Sequence, residues 1–119
     1  MENVKHKVVF QLTTDNIDEQ NALITYVNNL FKHWGSDVLI HVVVHGPGIG
    51  MVRKSKTMVG EGVRYAMQIG VKFFACENTM QTRRIEKTDI VEGVEYVPSG
   101  LVAIIEKQEQ GWPYIKCNF

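Results

Sequence analysis

The chain has 119 residues, 45% of them hydrophobic and 22% charged, and its thirteen basic and thirteen acidic side chains cancel. This suits one compact domain over 1–119 with one core. It leaves no basic footprint for a nucleic-acid partner. No apolar run reaches the roughly 20 residues of a membrane span, and two cysteines without CxxC spacing fit neither a disulfide framework nor a zinc ribbon.

Residues Met1 to Lys7 are polar and lead straight into a strand. No signal peptide is visible, and the expected compartment is the cytoplasm. His6 to Leu12 carries Val8, Val9, Phe10 and Leu12 and reads as the first strand. Thr13-Thr14-Asp15-Asn16 is a turn of capping types. A long helix should follow to about Trp34, because Ala22, Leu23, Tyr26, Val27, Leu30, Phe31 and Trp34 form one stripe at helical period. Gly35 ends it.

Val38 to Val44 is β-branched and apolar, as a central parallel strand requires. It stops at His45-Gly46-Pro47-Gly48. A short helical turn and a loop are expected over Ile49 to Thr57, then a second helix from about Val59 to Ile69 that buries Val59, Val63, Ala66 and Met67. Gly70 ends that helix. Val71 to Ala75 is the third strand, and a helix is expected from about Thr79 to Arg84, with Asn78 and Thr79 as capping types. A short turn near Thr88 to Val91 precedes a fourth strand at Val94 to Val97. Ser99 should cap a last helix that runs to about Gln110 and turns Leu101, Ile104 and Ile105 to the sheet. Trp112 to Lys116 reads as an edge strand, since Pro113 can donate no ladder hydrogen bond. Strands alternating with helices through short connections mean a parallel sheet with helices on both faces.

In such sheets, chemistry collects beyond the carboxyl ends of the strands. Cys76 falls at that edge, facing a helix start whose free amides and dipole favour a thiolate. A nucleophilic or persulfide-carrying thiol fits. A buried cysteine at a strand end is also an ordinary small hydrophobe. His45 lies at the same edge, as base or as hydrogen-bond donor to a sulfur or anion. Gly46 and Gly48 would let backbone approach a ligand closely, though Gly-Pro also marks plain turns. With Asn78 and Thr79, these make the candidate ligand-binding set around Cys76. Gly48 and Gly50 would need a further glycine at Arg53 to make a dinucleotide fingerprint, and no Walker A sequence exists, so no cofactor is expected. The other histidines, His6, His33 and His41, are scattered, and no metal site is expected. Cys117, near the end, reads as an incidental tail thiol or a resolving partner for Cys76.

Four stretches carry a resemblance: His45-Gly46-Pro47-Gly48; Gly70-Val71-Lys72-Phe73-Phe74-Ala75-Cys76-Glu77-Asn78-Thr79; Gly93-Val94-Glu95-Tyr96-Val97-Pro98-Ser99-Gly100; and Gln110-Gly111-Trp112-Pro113-Tyr114-Ile115-Lys116. Their order and spacing resemble the DsrE/DsrF-like family, the sulfur-relay group that includes the TusD-type subunits. The likeness covers nearly the whole chain. It implies a three-layer α/β/α fold with a five-stranded parallel sheet, and a homotrimer or hexamer. It implies a cysteine just after the third strand that accepts sulfur as a persulfide, a position Cys76 matches, with sulfur donor and acceptor proteins as partners. Glu77-Asn78-Thr79 departs from the relay subunits. A binding module that uses His45 and Asn78 without cysteine chemistry is the alternative.

Overall fold

The structure, a computed structural model, describes residues 4–117. Five strands, β1 (His6–Leu12), β2 (Val38–Val44), β3 (Lys72–Cys76), β4 (Glu95–Val97) and β5 (Tyr114–Lys116), alternate with four helices. The helices are α1 (Ile17–Trp34), α2 (Gly60–Gln68), α3 (Glu77–Arg83) and α4 (Gly100–Glu109). All neighbouring strands are parallel, in the order β4-β3-β2-β1-β5. The expected parallel α/β/α sandwich is the fold observed, with β5 at one edge.

Period-2 alternation divides each strand between two layers. Val8, Phe10 and Leu12 of β1 and Ile40, Val42 and Val44 of β2 join Leu23 and Val27 of α1 and Val63 and Ala66 of α2 in the larger core. Val9, Val43 and Ile104 form a smaller core on the opposite face, with Phe74, Trp112 and Tyr114 packed against it. The helix α1 starts where Asn16 accepts a hydrogen bond from Glu19 N–H and ends at Gly35, whose positive φ of 57° suits glycine.

Several boundaries differ from the sequence reading, each for a local reason. β3 runs one residue further than expected and takes in Cys76. α3 begins at Glu77, because extended Cys76 occupies the N-cap position itself. Asn78 and Thr79 therefore lie inside the first turn. Gly46–Val52 forms a 3₁₀ segment directly after β2, and Lys87–Asp89 a short one before β4. β5 is short because Trp112 N–H closes α4 by donating to Lys107 O, 3.0 Å. On α4, Ile104 is buried, but Leu101 and Ile105 are 58% and 53% exposed, against the expectation that all three face the sheet. Gly100, Ala103, Ile104 and Lys107 are the covered positions, a stripe that leaves Leu101, Val102 and Ile105 outside.

Candidate functional site

The register of β2 with β3 sets Val44 beside Ala75. His45 and Cys76 therefore leave the carboxyl edge of the sheet side by side, on the face that α4 covers. The start of α4 sits over both. Gly100 N–H donates to Cys76 Sγ at 3.2 Å. A Cβ on Gly100 would lie 3.1 Å from Cβ, Cγ and Cδ2 of His45. Glycine is what allows the helix start to come this close to the imidazole.

The loop after β2 is held from both sides. His45 N–H donates to Leu12 O at 3.2 Å, and Gly48 N–H to His45 O at 3.1 Å. A Cβ on Gly48 would meet Leu12 O at 2.3 Å, so this glycine is required by the close approach of two backbones. Gly46 N–H donates to Thr79 Oγ1 at 2.9 Å, which ties the loop to α3. Asn78 N–H donates to Pro98 O at 3.1 Å, which ties α3 to the end of β4. The Asn78 side chain is exposed.

Cys76 is a free thiol with 4% of its surface exposed. Burial pushes its pKa up. The Thr79 hydroxyl, and then the amides of Thr79, Gly100 and Asn78, favour the thiolate and prevail, so the net shift is downward from 9.0. Donors aimed at a sulfur act here as a helix start acts on an anion. The arrangement can stabilise a thiolate, or an anion one atom longer.

His45 is half-buried, and burial lowers its pKa. Its Nε2 lies 2.8 Å from Gln11 Nε2. Tyr114 donates its hydroxyl to Gln11 Oε1. This chain crosses from β5 through β1 to β2 and was not found by the sequence reading. Gln11 left a signal, as the one amide within Val8-Val9-Phe10-Gln11-Leu12. Gly100 and Tyr114 left none, since each meets its partner through tertiary structure alone.

Cys117 does not fray. Its N–H donates to Gln11 O at 2.8 Å, and only 5% of its surface is exposed. Burial, with the Glu19 charge adding to it, pushes its thiol up to about 11. Cys76 ends β3 and Cys117 follows β5, three strand positions apart. At about 4.8 Å per strand that is ~14 Å, too far for a disulfide. The resolving-partner reading of Cys117 within one chain is thereby corrected.

Among the described residues no group of three or more metal-ligating side chains occurs. His41 sits between the rings of Phe74 and Trp112, and burial, then Lys107, then Lys72 push its pKa down to about 4. It is a neutral packing residue. On the same sheet face, a groove of about 160 Å³ lined by Val43, Phe74, Val97, Ala103 and Lys107 runs along α4. No helix among the described residues is long and apolar enough to cross a membrane.

No protein of curated function matches this sequence. Among solved structures, a protein of unknown function from Methanobacterium thermoautotrophicum, MTH1491, is 33% identical. The match covers 94% of this chain and 99% of that one, with a TM-score of 0.89. A protein of unknown function from Bacteroides thetaiotaomicron, BT1422, is 21% identical over 92% of this chain and 93% of that one. Its TM-score of 0.74 shows the shared fold. The model of the DsrE/DsrF-like family matches residues 6–117, from the start of the first strand to the thiol that follows the last. With its five-stranded parallel sheet and a cysteine at the carboxyl edge of the third strand, the chain belongs to the DsrE/DsrF-like family.

Proposed function

We propose that this protein is a sulfur carrier that holds sulfane sulfur as a persulfide on Cys76. The observation that carries the reading is the donor set around Cys76 Sγ: the Gly100 amide at 3.2 Å, with the Thr79 hydroxyl and neighbouring amides lowering the thiol pKa. In the loading step, the Cys76 thiolate attacks the outer sulfur of a persulfide R–S–SH. The Cys76 S–S bond forms, the donor S–S bond breaks, and RS⁻ leaves with the electron pair. In the delivery step an acceptor thiolate attacks the same outer sulfur, and Cys76 leaves as the thiolate that its donors favour. Neither step needs an external oxidant or reductant. His45, Gly46, Gly48, Asn78 and Thr79 are the proposed walls of the sulfur-binding site.

Partners in this reading are a sulfur donor and a sulfur acceptor, and the compartment is the cytoplasm, where free thiols persist. The proposal includes assembly as a homotrimer or a multiple of it. The exposed row of Leu101, Val102 and Ile105 on α4 supports it, as an apolar strip of the kind that marks contact surfaces. Light scattering that gives a monomer at micromolar concentration would refute the assembly.

The 4% exposure of Cys76 favours a second reading. There the thiol caps the first residue of α4, and the edge binds a ligand without cysteine chemistry. Mass spectrometry after incubation with a persulfide donor separates the two. The carrier gains one sulfur atom on the peptide that holds Cys76, and Cys76→Ala does not. Equal loading of Cys76→Ala, or none of the unsubstituted protein, would leave the second reading.

A further inference from the structure

We infer that Gln11 and Tyr114 are positioning residues that hold His45 as the neutral imidazole protonated on Nδ1, with Nε2 occupied as a hydrogen-bond acceptor and so not free to serve as a base. An amide nitrogen has no lone pair to offer, so Gln11 Nε2, 2.8 Å from His45 Nε2, can only donate. The imidazole Nε2 must then accept, and the ring proton stands on Nδ1. The other end of the same amide, Oε1, accepts the Tyr114 hydroxyl, and this arrangement turns the nitrogen end toward the ring. Burial raises the Tyr114 pKa further above its ordinary value, so the hydroxyl keeps its proton at neutral pH. No ion pair among the described residues involves His45.

The chemical consequence concerns the kind of thiolate. In thiol enzymes that pair cysteine with a protonated histidine, the imidazolium supplies the counter-charge. Here the counter-charge is absent, and neutral donors carry the stabilisation. The reactivity of Cys76 should therefore follow one ionisation, its own. This bearing on sulfur transfer rests on the carrier reading above. The tautomer does not, so the two can fail separately.

The test is ¹⁵N NMR of the imidazole nitrogens in the intact protein near neutral pH. His45 is expected in the Nδ1–H form, with Nε2 showing the shift of an unprotonated, hydrogen-bonded nitrogen. An Nε2–H or doubly protonated ring in the unsubstituted protein would overturn the inference without any variant. In Gln11→Glu the carboxylate can only accept, so the tautomer should reverse to Nε2–H, and the Cys76 alkylation profile should acquire a second ionisation. In Tyr114→Phe the amide loses its orienting donor, and the Nε2–H form should appear beside the Nδ1–H form. An unchanged tautomer in Gln11→Glu would remove Gln11 from this role, and an unchanged one in Tyr114→Phe would remove Tyr114. Sulfur loading in the same samples reports on the carrier reading independently.

Discussion

The two cysteines share nearly everything except their neighbours. Both stand at the carboxyl edge of the same sheet, both are free, and they are 4% and 5% exposed. Burial alone would push both thiols up. Cys117 obeys, reaching about 11, with Glu19 adding to the effect. Cys76 goes the other way, because the Thr79 hydroxyl and the amides of Thr79, Gly100 and Asn78 favour its thiolate. Which thiol favours its anion is decided by donors, and exposure is no guide to it.

The largest expected effect is the difference in thiolate content. One value lies near 11 and the other below 9.0, so at neutral pH Cys76 should hold at least ~100 times more thiolate than Cys117. Iodoacetamide labelling followed against pH by peptide mass spectrometry reads this directly. Cys76 should level off with a midpoint below 9.0 while Cys117 is still gaining at pH 10. Coincident profiles would erase the contrast.

Stability should register the same contrast with opposite signs. The folded Cys117 thiol keeps its proton to about 11, whereas an ordinary thiol loses it near 9.0. Below 9.0 both states hold the proton and the group contributes nothing. Between 9.0 and about 11 the unfolded chain ionises alone, so stability falls as pH rises, by about 2 to 3 kcal/mol in full. Cys76 has a depressed value, so its stabilisation is present above 9.0 and lost as pH falls through the folded value. Urea melts of the parent and Cys117→Ala should therefore converge as pH climbs from 9 to 11. A constant gap would mean that Cys117 ionises freely in the folded protein.

Much of this frame was legible in the sequence. The bounds of β1, α1 and β2 follow from alternation, one long helical stripe, and Asn16 and Gly35 at its ends. The juxtaposition of His45 with Cys76 follows from parallel order, because neighbouring strands end together. What was not legible was made by tertiary contact. The position of Cys117 near the end of the chain suggested fraying, and only the pairing of β5 with β1 shows why it is buried. The role of Gly100 against Cys76 depends on how α4 crosses the sheet. Hydrophobicity alone turns Leu101, Ile104 and Ile105 inward. Of the three residues expected inward only Ile104 is buried, beside Gly100, which leaves an apolar strip outside.

The donor set can be thinned one member at a time. Thr79→Val keeps the shape and removes the hydroxyl. Gly46 N–H then loses its acceptor, a cost of about 1 to 3 kcal/mol for a covered amide. The Cys76 midpoint should move up, and alkylation at neutral pH should slow. Thr79→Ser should restore both, because it returns the hydroxyl. An unmoved midpoint in Thr79→Val would shift the whole explanation onto the amides.

The smallest effect tests whether the amide of α4 matters to the thiol. Ser99 Oγ accepts Val102 N–H at 3.3 Å and so caps the helix whose first residue donates to Cys76 Sγ. Ser99→Ala should cost about 1 kcal/mol of stability, the usual value of an N-cap. It also frees the first turn to fray, which withdraws the Gly100 amide from the sulfur part of the time. The Cys76 midpoint should therefore rise, by less than in Thr79→Val, because only one of several donors is weakened. The Cys117 profile should stay where it is, since β5 lies at the far side of β1 from this helix start. Ser99→Thr, which keeps the capping oxygen, should behave as the parent. If Ser99→Ala lowered stability and left the Cys76 midpoint unmoved, Gly100 would be only a packing neighbour of the thiol, and the downward shift would belong to α3 alone.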